Sequence, residues 1–314
     1  YVTDIDAEWG ALQDERDALL QWIGTATDEG SPLPSLLSLH ERTIESEWSA
    51  QIERIRQTIH SKQAQKVVLA PTLDATFADS PDLLTALSNL ASRYANTYRF
   101  LLEPVPGQAF YGATPELLIA LDNRRLKTAG VAGSRRRGST AEADNALGAE
   151  LLNSAKDQHE HRVVVDTIRQ RLQPVTDALS IPTEPRLMKL ANIQHLYTPI
   201  EATLTNDTHI LDVVARLHPT PALGGSPAEI ALPLIAELER DSRGWYGAPV
   251  GWIDHRGNGM FAVAIRSALG VGQQSRFYAG AGIMGDSDPH SEWQETGVKL
   301  IPMLNAHGIA EQTA

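Results

Sequence analysis

The segment Glu292-Trp293-Gln294-Glu295-Thr296-Gly297-Val298-Lys299-Leu300 places two carboxylates and a lysine at i, i+3 and i+7. On a helix these positions share one face. A solvated charged face is the ordinary outcome of such spacing. Two carboxylates one turn apart are also the oxygen donors that a hard divalent cation takes. The preceding Ala279-Gly280-Ala281-Gly282 lets a ligand approach the backbone closely. A second cluster is Lys156-Asp157-Gln158-His159-Glu160-His161. It lacks the H-E-x-x-H spacing, and on a helix of 3.6 residues per turn His159 and His161 point about 200° apart. They cannot share a metal. Glu160 alone could face a site, with an ordinary charged helical turn as the equal alternative.

Lys66 leads the apolar run Lys66-Val67-Val68-Leu69-Ala70. Such a lysine either extends its amine to solvent or is desolvated, which favours the neutral form and makes it a candidate base. Glu116, in Gly112-Ala113-Thr114-Pro115-Glu116-Leu117-Leu118, is a turn carboxylate ahead of an apolar strand. Arg266 sits in the apolar run Phe261–Ser267 and needs an anionic partner, either a protein carboxylate or a bound acid. His195 taken alone is more often a hydrogen-bonded core residue than a catalyst. The loop His218–Pro227, which carries Ala222 and Leu223, has three prolines and two glycines and could form a rigid wall.

The elements that must position these residues follow from periodicity and breakers. Residues 7–60 read as helical, from Trp9 through Ile23 and again from Ile52 to Ile59, interrupted at Ser31–Ser35. A strand covers Lys66–Ala70 and stops at Pro71. A helix covers 80–95, with Pro81 at its first position. Strands follow at Tyr98–Leu102, Ala109–Tyr111, Leu117–Leu121 and Leu126–Ala129. One long helix covers 141–173, and two more cover Ile210–Arg216 and Pro227–Glu239. Ala248–Asp254, Met260–Ala268 and Arg276–Ile283 read as strands, and a last helix covers Ser291–Asn305. Strands adjoin strands and helices come in blocks, which predicts α+β with antiparallel sheets. No dinucleotide or P-loop fingerprint is present.

Composition narrows the chemistry. The 314 residues are 42% hydrophobic and 21% charged, as in a globular protein. The formal charge of −12 argues against sequence-independent nucleic-acid binding. With no cysteine, disulfides, thiolate metal sites and cysteine nucleophiles are excluded, and a cytoplasmic location is expected. No apolar run approaches the length of a membrane span. The start, Tyr1-Val2-Thr3-Asp4, reads as that of a trimmed chain.

In their order along the chain these pieces resemble the chorismate-utilising enzymes: isochorismate synthases, salicylate synthases, and the synthase components for anthranilate and aminodeoxychorismate. The resemblance is carried by Lys66–Ala70, Gly112–Leu118, Ala132–Gly138, Lys156–His161, His218–Pro227, Gly244–Trp252, Ile265-Arg266, Tyr278–Ile283 and Glu292–Leu300. Within the family the pattern is most similar to isochorismate synthase. Ala222 stands where aminating members commonly carry threonine, and Pro71 departs from an arginine common after the Val-Val-Leu-Ala run.

The resemblance implies one large α+β domain over 61–314, with two antiparallel sheets flanked by helices and the site in the cleft between them. Residues 1–60 would be the remnant of an N-terminal part. It implies chorismate as substrate, Mg²⁺ as cofactor, and a monomer or weak homodimer. Lys66 would be the general base and Glu116 the general acid. Glu160, Glu292 and Glu295 would hold Mg²⁺. Tyr246 and Arg266 would hold the enolpyruvyl carboxylate. Gly280, Gly282 and Lys299 would position the ring carboxylate, and His195, Ala222 and Leu223 would line the pocket. A salicylate synthase, which also eliminates pyruvate, and a non-catalytic chorismate-binding paralogue remain as rival readings.

Overall fold

The computed structural model describes Gly10, residues 13–18, 32–206 and 208–309. The chain divides into two compact units, Tyr1–Pro32 and Leu33–Ala314. Of the run from Trp9 to Ile23, Gly10 and residues 13–18 are described, and they are helical. The start at Tyr1–Asp4 lies outside the described residues. All the elements below belong to the second unit, so the boundary expected at residue 60 falls inside it.

That unit opens with β1 (Leu36–Glu41), α1 (Glu45–His60), β2 (Lys66–Leu69), β3 (Thr72–Phe77) and α2 (Leu83–Arg93). Next come β4 (Tyr98–Val105), β5 (Gln108–Thr114), β6 (Leu117–Asp122), β7 (Arg125–Arg136), α3 (Ala141–Asn153) and α4 (Ala155–Leu172). Then follow β8 (Thr176–Ser180), β9 (Arg186–Lys189), β10 (Ile193–Leu204), α5 (Ile210–Leu217), β11 (Gly225–Ser226) and α6 (Ala228–Leu238). The chain continues through β12 (Pro249–Ile253), β13 (Gly259–Val263), β14 (Ser267–Val271), β15 (Gln274–Tyr278), β16 (Ala281–Ile283) and α7 (Pro289–Ala306).

A six-stranded sheet runs β1-β3-β15-β14-β5-β4. A seven-stranded sheet runs β12-β13-β6-β7-β10-β8, with β9 also paired to β10, and a three-stranded sheet runs β11-β2-β16. All these pairings are antiparallel, as expected of an α+β fold. The seven-stranded sheet packs against α4 and α5 through Leu118, Ile168, Ile200 and Val213. The six-stranded sheet packs against α2 and α7 through Phe77, Leu90, Phe277 and Met303. The small sheet packs against α1 and α6 through Val67, Ile52 and Leu234. Among the described residues no helix is long and apolar enough to cross a membrane.

Several sequence expectations are corrected. Residues 36–41 are a strand and not helix, because Leu36–Glu41 pairs along the edge of the six-stranded sheet against β3. The chain resumes as a strand after Pro71, where the proline marks a change of sheet. Helix α2 is capped by the Asp82 carboxylate, which accepts from Leu84 N, so Pro81 lies outside it. The long helix is two helices, because Ser154 ends one and caps the next by accepting from Asp157 N. Such a cap contributes about 1 kcal/mol. Strand β10, paired to β7 on one side and to β9 and β8 on the other, gave no clear sequence signal. Its Pro199 falls where pairing with β9 has ended at Tyr197 and pairing with β8 has not begun at Glu201. A proline costs a sheet least at such a gap.

The change that matters most concerns Met260–Ala268, which reads as one strand. The structure breaks it at Arg266, a non-glycine residue with φ of 51°. β13 lies in the seven-stranded sheet and β14 in the six-stranded one. A second crossing runs from β5 to β6 through Pro115 and Glu116. The two crossings are bonded side by side: Ala113 N donates to Arg266 O at 3.1 Å and Val263 N to Glu116 O at 3.0 Å. Where the sheets exchange strands, the fold sets Glu116 beside Arg266.

Candidate active site

A cavity of about 60 Å³ opens at these crossings and reaches the small sheet. Lys66, Glu116, Glu160, His195, Ala222, Leu223, Tyr246, Arg266, Gly280, Gly282, Glu295 and Lys299 all line it. Of the thirteen residues singled out in the sequence, Glu292 is the one absent from the wall.

Lys66 is the first residue of β2 and is 1% exposed. Its Nζ donates to Glu160 Oε1 at 2.7 Å, so α4 supplies its partner. To accept a proton, Lys66 must first lose one of its own, because an ammonium has no lone pair to receive it. Gly282 on β16 makes room for the pair: a Cβ there would stand 2.4 Å from Glu160 Oε1 and 2.6 Å from Lys66 Cε. Facing them, Glu116 is pushed up to about 7 by burial, against the pull of Lys66, Lys299 and Arg266. A substantial fraction of Glu116 is therefore protonated at neutral pH, as a proton donor requires.

Arg266 is 5% exposed, and burial lowers it to about 10. Its hydrogen bond among the described residues runs from a guanidinium nitrogen to Lys299 O at 3.5 Å. A buried guanidinium held by so little is set to receive a carboxylate in its bidentate fork. Its left-handed backbone is a local strain of the kind that collects at binding sites. Tyr246 stacks on Tyr278 with ring centres 5.2 Å apart, and its hydroxyl is raised to about 12 by burial. A Cβ on Gly280 would come within 2.8 Å of that hydroxyl. Lys299 donates to Gly280 O at 2.8 Å and to Glu295 Oε1 at 2.6 Å.

His195 lies on β10, with Nδ1 3.0 Å from Ser134 Oγ and 3.2 Å from Gly133 O. Burial lowers it to about 3, so it is neutral. Ser134 lines the cavity and was not singled out in the sequence. His161 points into protein, its ring hydrogen-bonded to Thr198 Oγ1 at 2.7 Å, while His159 is exposed, so the pair forms no metal site.

The carboxylates depart from the expected cluster. Glu292 is 2% exposed and ion-pairs with Lys156. Burial, and then Glu295, raise its pKa against the pull of Lys156. Burial opposes the charge on Glu295 too, but Lys299 and Lys156 hold it below the usual carboxylate range. Each of the three carboxylates has a lysine, because buried like charges need counter-charges. Among the described residues no group of three or more His, Asp or Glu is arranged to hold a metal. The donor chemistry nevertheless fits a hard cation: Glu160, Glu292 and Glu295 all act electrostatically on one ammonium, that of Lys156. Lys156 is one turn before Glu160 on α4, and that i, i+4 spacing was the sequence signal for it.

Residues 2–308 match the family model described as chorismate binding enzyme. The chain belongs to the chorismate-binding enzyme family. This chorismate-binding chain is 42% identical over 274 residues to the isochorismate synthase MenF of Bacillus subtilis, covering 87% of this chain and 58% of that protein. It is 41% identical over 261 residues to the salicylate biosynthesis isochorismate synthase of Pseudomonas aeruginosa, covering 83% and 54%. The solved structure of MenF, the menaquinone-specific isochorismate synthase of Escherichia coli, superposes with a TM-score of 0.82 at 30% identity, covering 94% of this chain and 69% of that one. The chain thus spans a little over half the length of the two curated relatives.

Proposed function

We propose that this chorismate-binding enzyme is an isochorismate synthase: it adds water at C2 of chorismate, shifts the ring diene and expels the C4 hydroxyl. The observation that carries the reading is the buried Glu116, raised to about 7, in one cavity with Lys66. Water is a poor nucleophile and hydroxide a poor leaving group, so the exchange needs a base and an acid. Lys66, once it has given up its own extra proton and carries a free lone pair, takes a proton from the attacking water. Glu116 gives its proton to the departing oxygen, which leaves as water. The atoms balance, and the product is an isomer of the substrate.

Arg266 and the Tyr246 hydroxyl receive the enolpyruvyl carboxylate. Lys299 and the backbone from Gly280 to Gly282 position the ring carboxylate. Glu160, Glu292 and Glu295 would hold Mg²⁺, which supplies positive charge to a dianionic substrate in a chain of net charge −12. The names of both curated relatives, isochorismate synthase, support the same reading.

The test is product analysis. Incubation with chorismate and Mg²⁺, followed by chromatography and mass spectrometry, should yield isochorismate without pyruvate, even with ammonium in excess. Unchanged chorismate would reject the activity. Released pyruvate would mark a salicylate synthase, and an aminated ring product would place the chain with the ammonia-using members.

A further inference from the structure

Arg266 has a second open side. Beyond it lies another cavity, of about 310 Å³, whose wall includes Arg266, Pro115, Asn96, Arg137 and Lys189. Arg266 and Pro115 line both this cavity and the smaller one that holds Lys66 and Glu116. The outer cavity is in the size range of small-ligand sites, ~300–1,000 Å³.

Its charge runs against the composition of the chain. The sequence has 39 acidic residues to 27 basic ones, yet among the described residues no carboxylate lines this cavity. Asp144 lies behind the wall and is shared by two of its cations: Arg137 binds both carboxylate oxygens, at 2.6 and 2.8 Å, and Lys189 binds one at 2.8 Å. Two cations on one carboxylate leave an excess of positive charge, and Arg266 adds to it. A cleft of one sign with low-dielectric walls focuses its field and concentrates ligands of the opposite sign.

We propose that this cavity is an anion-binding antechamber, in which a dicarboxylate substrate docks before passing Pro115 and Arg266 into the reaction cavity. The proposal rests on the isochorismate synthase reading and adds where the substrate comes from. Arg266 serves both chambers, so a carboxylate can pass from one face of its guanidinium to the other without losing its partner.

Two substitutions test this without touching catalytic groups. Ala95 is exposed and lines the antechamber. Ala95→Trp should fill it and lower kcat/KM for chorismate by about tenfold or more, kcat staying within about twofold. Ala191 is exposed, in the turn before β10, and also lines the cavity. Ala191→Glu should fall about three- to tenfold below Ala191→Gln in kcat/KM at ~10 mM salt, and the gap should close near ~0.5 M, where screening is short-ranged. If Ala95→Trp lowers the melting temperature, the Ala191 pair decides alone. Equal kcat/KM for the Glu and Gln variants at low salt, or a loss confined to kcat, overturns the proposal. A wild-type enzyme that leaves chorismate unchanged removes the reading beneath it, a result distinct from an active enzyme indifferent to the wall.

Discussion

Two clusters of buried polar groups in the molecule are built on opposite principles. In the sheet's own core, His307 Nε2 stands 2.7 Å from the Tyr111 hydroxyl, and His307 Nδ1 donates to Met303 O at 2.8 Å. The ring is surrounded by Phe77, Phe277 and Tyr111. Burial lowers His307 to about 4, so the cluster is neutral and both ring nitrogens are bonded. The reaction cavity buries ions instead, with Arg266 ion-paired to no carboxylate among the described residues and Glu116 held half-protonated. Burial of titratable groups marks neither cluster as functional by itself. What separates them is a cavity and charge left unmatched within it.

The largest expected effect breaks the comparison at the carboxylates. Chelation of Mg²⁺ should abolish turnover, and added Mg²⁺ should restore it, with the protein still folded. Full activity in excess chelator would contradict the assignment of Glu160, Glu292 and Glu295. Next, Lys66→Ala should cut turnover by at least ~10²-fold, the low end for a general base. It also strands Glu160 beside Gly282. An enzyme within about threefold of wild type, far short of the ~10²-fold expected, would exclude Lys66 as the base.

Glu116→Gln keeps shape and hydrogen bonding but has no carboxylic proton to give. Turnover should fall by a similar ~10²-fold. The sign of the pH effect follows from the upward shift: Glu116 loses its proton as pH rises through about 7. Wild-type kcat should therefore decline on the alkaline side of that value, and the residual activity of Glu116→Gln should lack the decline. An unchanged alkaline limb in the variant would assign it to another group.

The parts of this site legible in the sequence were those whose residue type conflicts with its surroundings. A lysine leading an apolar strand, an arginine within one, and glutamates one turn apart each ask for a partner, and Lys66, Glu116, Glu160, Arg266, Glu295 and Lys299 meet in one cavity. The joint architecture was less legible. Met260–Ala268 reads as a single strand because hydrophobic alternation does not register that the chain changes sheets at Arg266. Strand β10 escaped notice because Gln194, His195 and Pro199 interrupt its apolar pattern, and buried pairing on both sides overrides local propensity. The sequence marks Lys156 by its i, i+4 spacing to Glu160, but not its role, because countering Glu292 from another helix depends on tertiary approach.

The smallest effect on activity, and the sharpest test of the contrast, comes from the neutral cluster. His307→Leu should leave kcat and KM within about twofold, since neither His307 nor Tyr111 is among the described residues that line the reaction cavity. Among the described residues it leaves the Tyr111 hydroxyl with a 3.5 Å contact to Ser275 Oγ alone. A buried hydroxyl stranded in this way costs roughly 1–3 kcal/mol, whereas removing both partners in Tyr111→Phe/His307→Leu should recover part of that loss. His307 titrates near 6.5 when unfolded and near 4 when folded, so between these values the unfolded state binds more protons. By linkage, stability falls as pH drops from 6.5 toward 4. His195, at about 3, and His161, at about 4, act in the same direction. His307→Leu should therefore flatten the acid-side slope of stability, measured by urea unfolding at several pH values, without removing it. A slope equal to that of wild type would mean that His307 is already protonated in the folded core, and a large loss of kcat would mean that the two clusters are coupled.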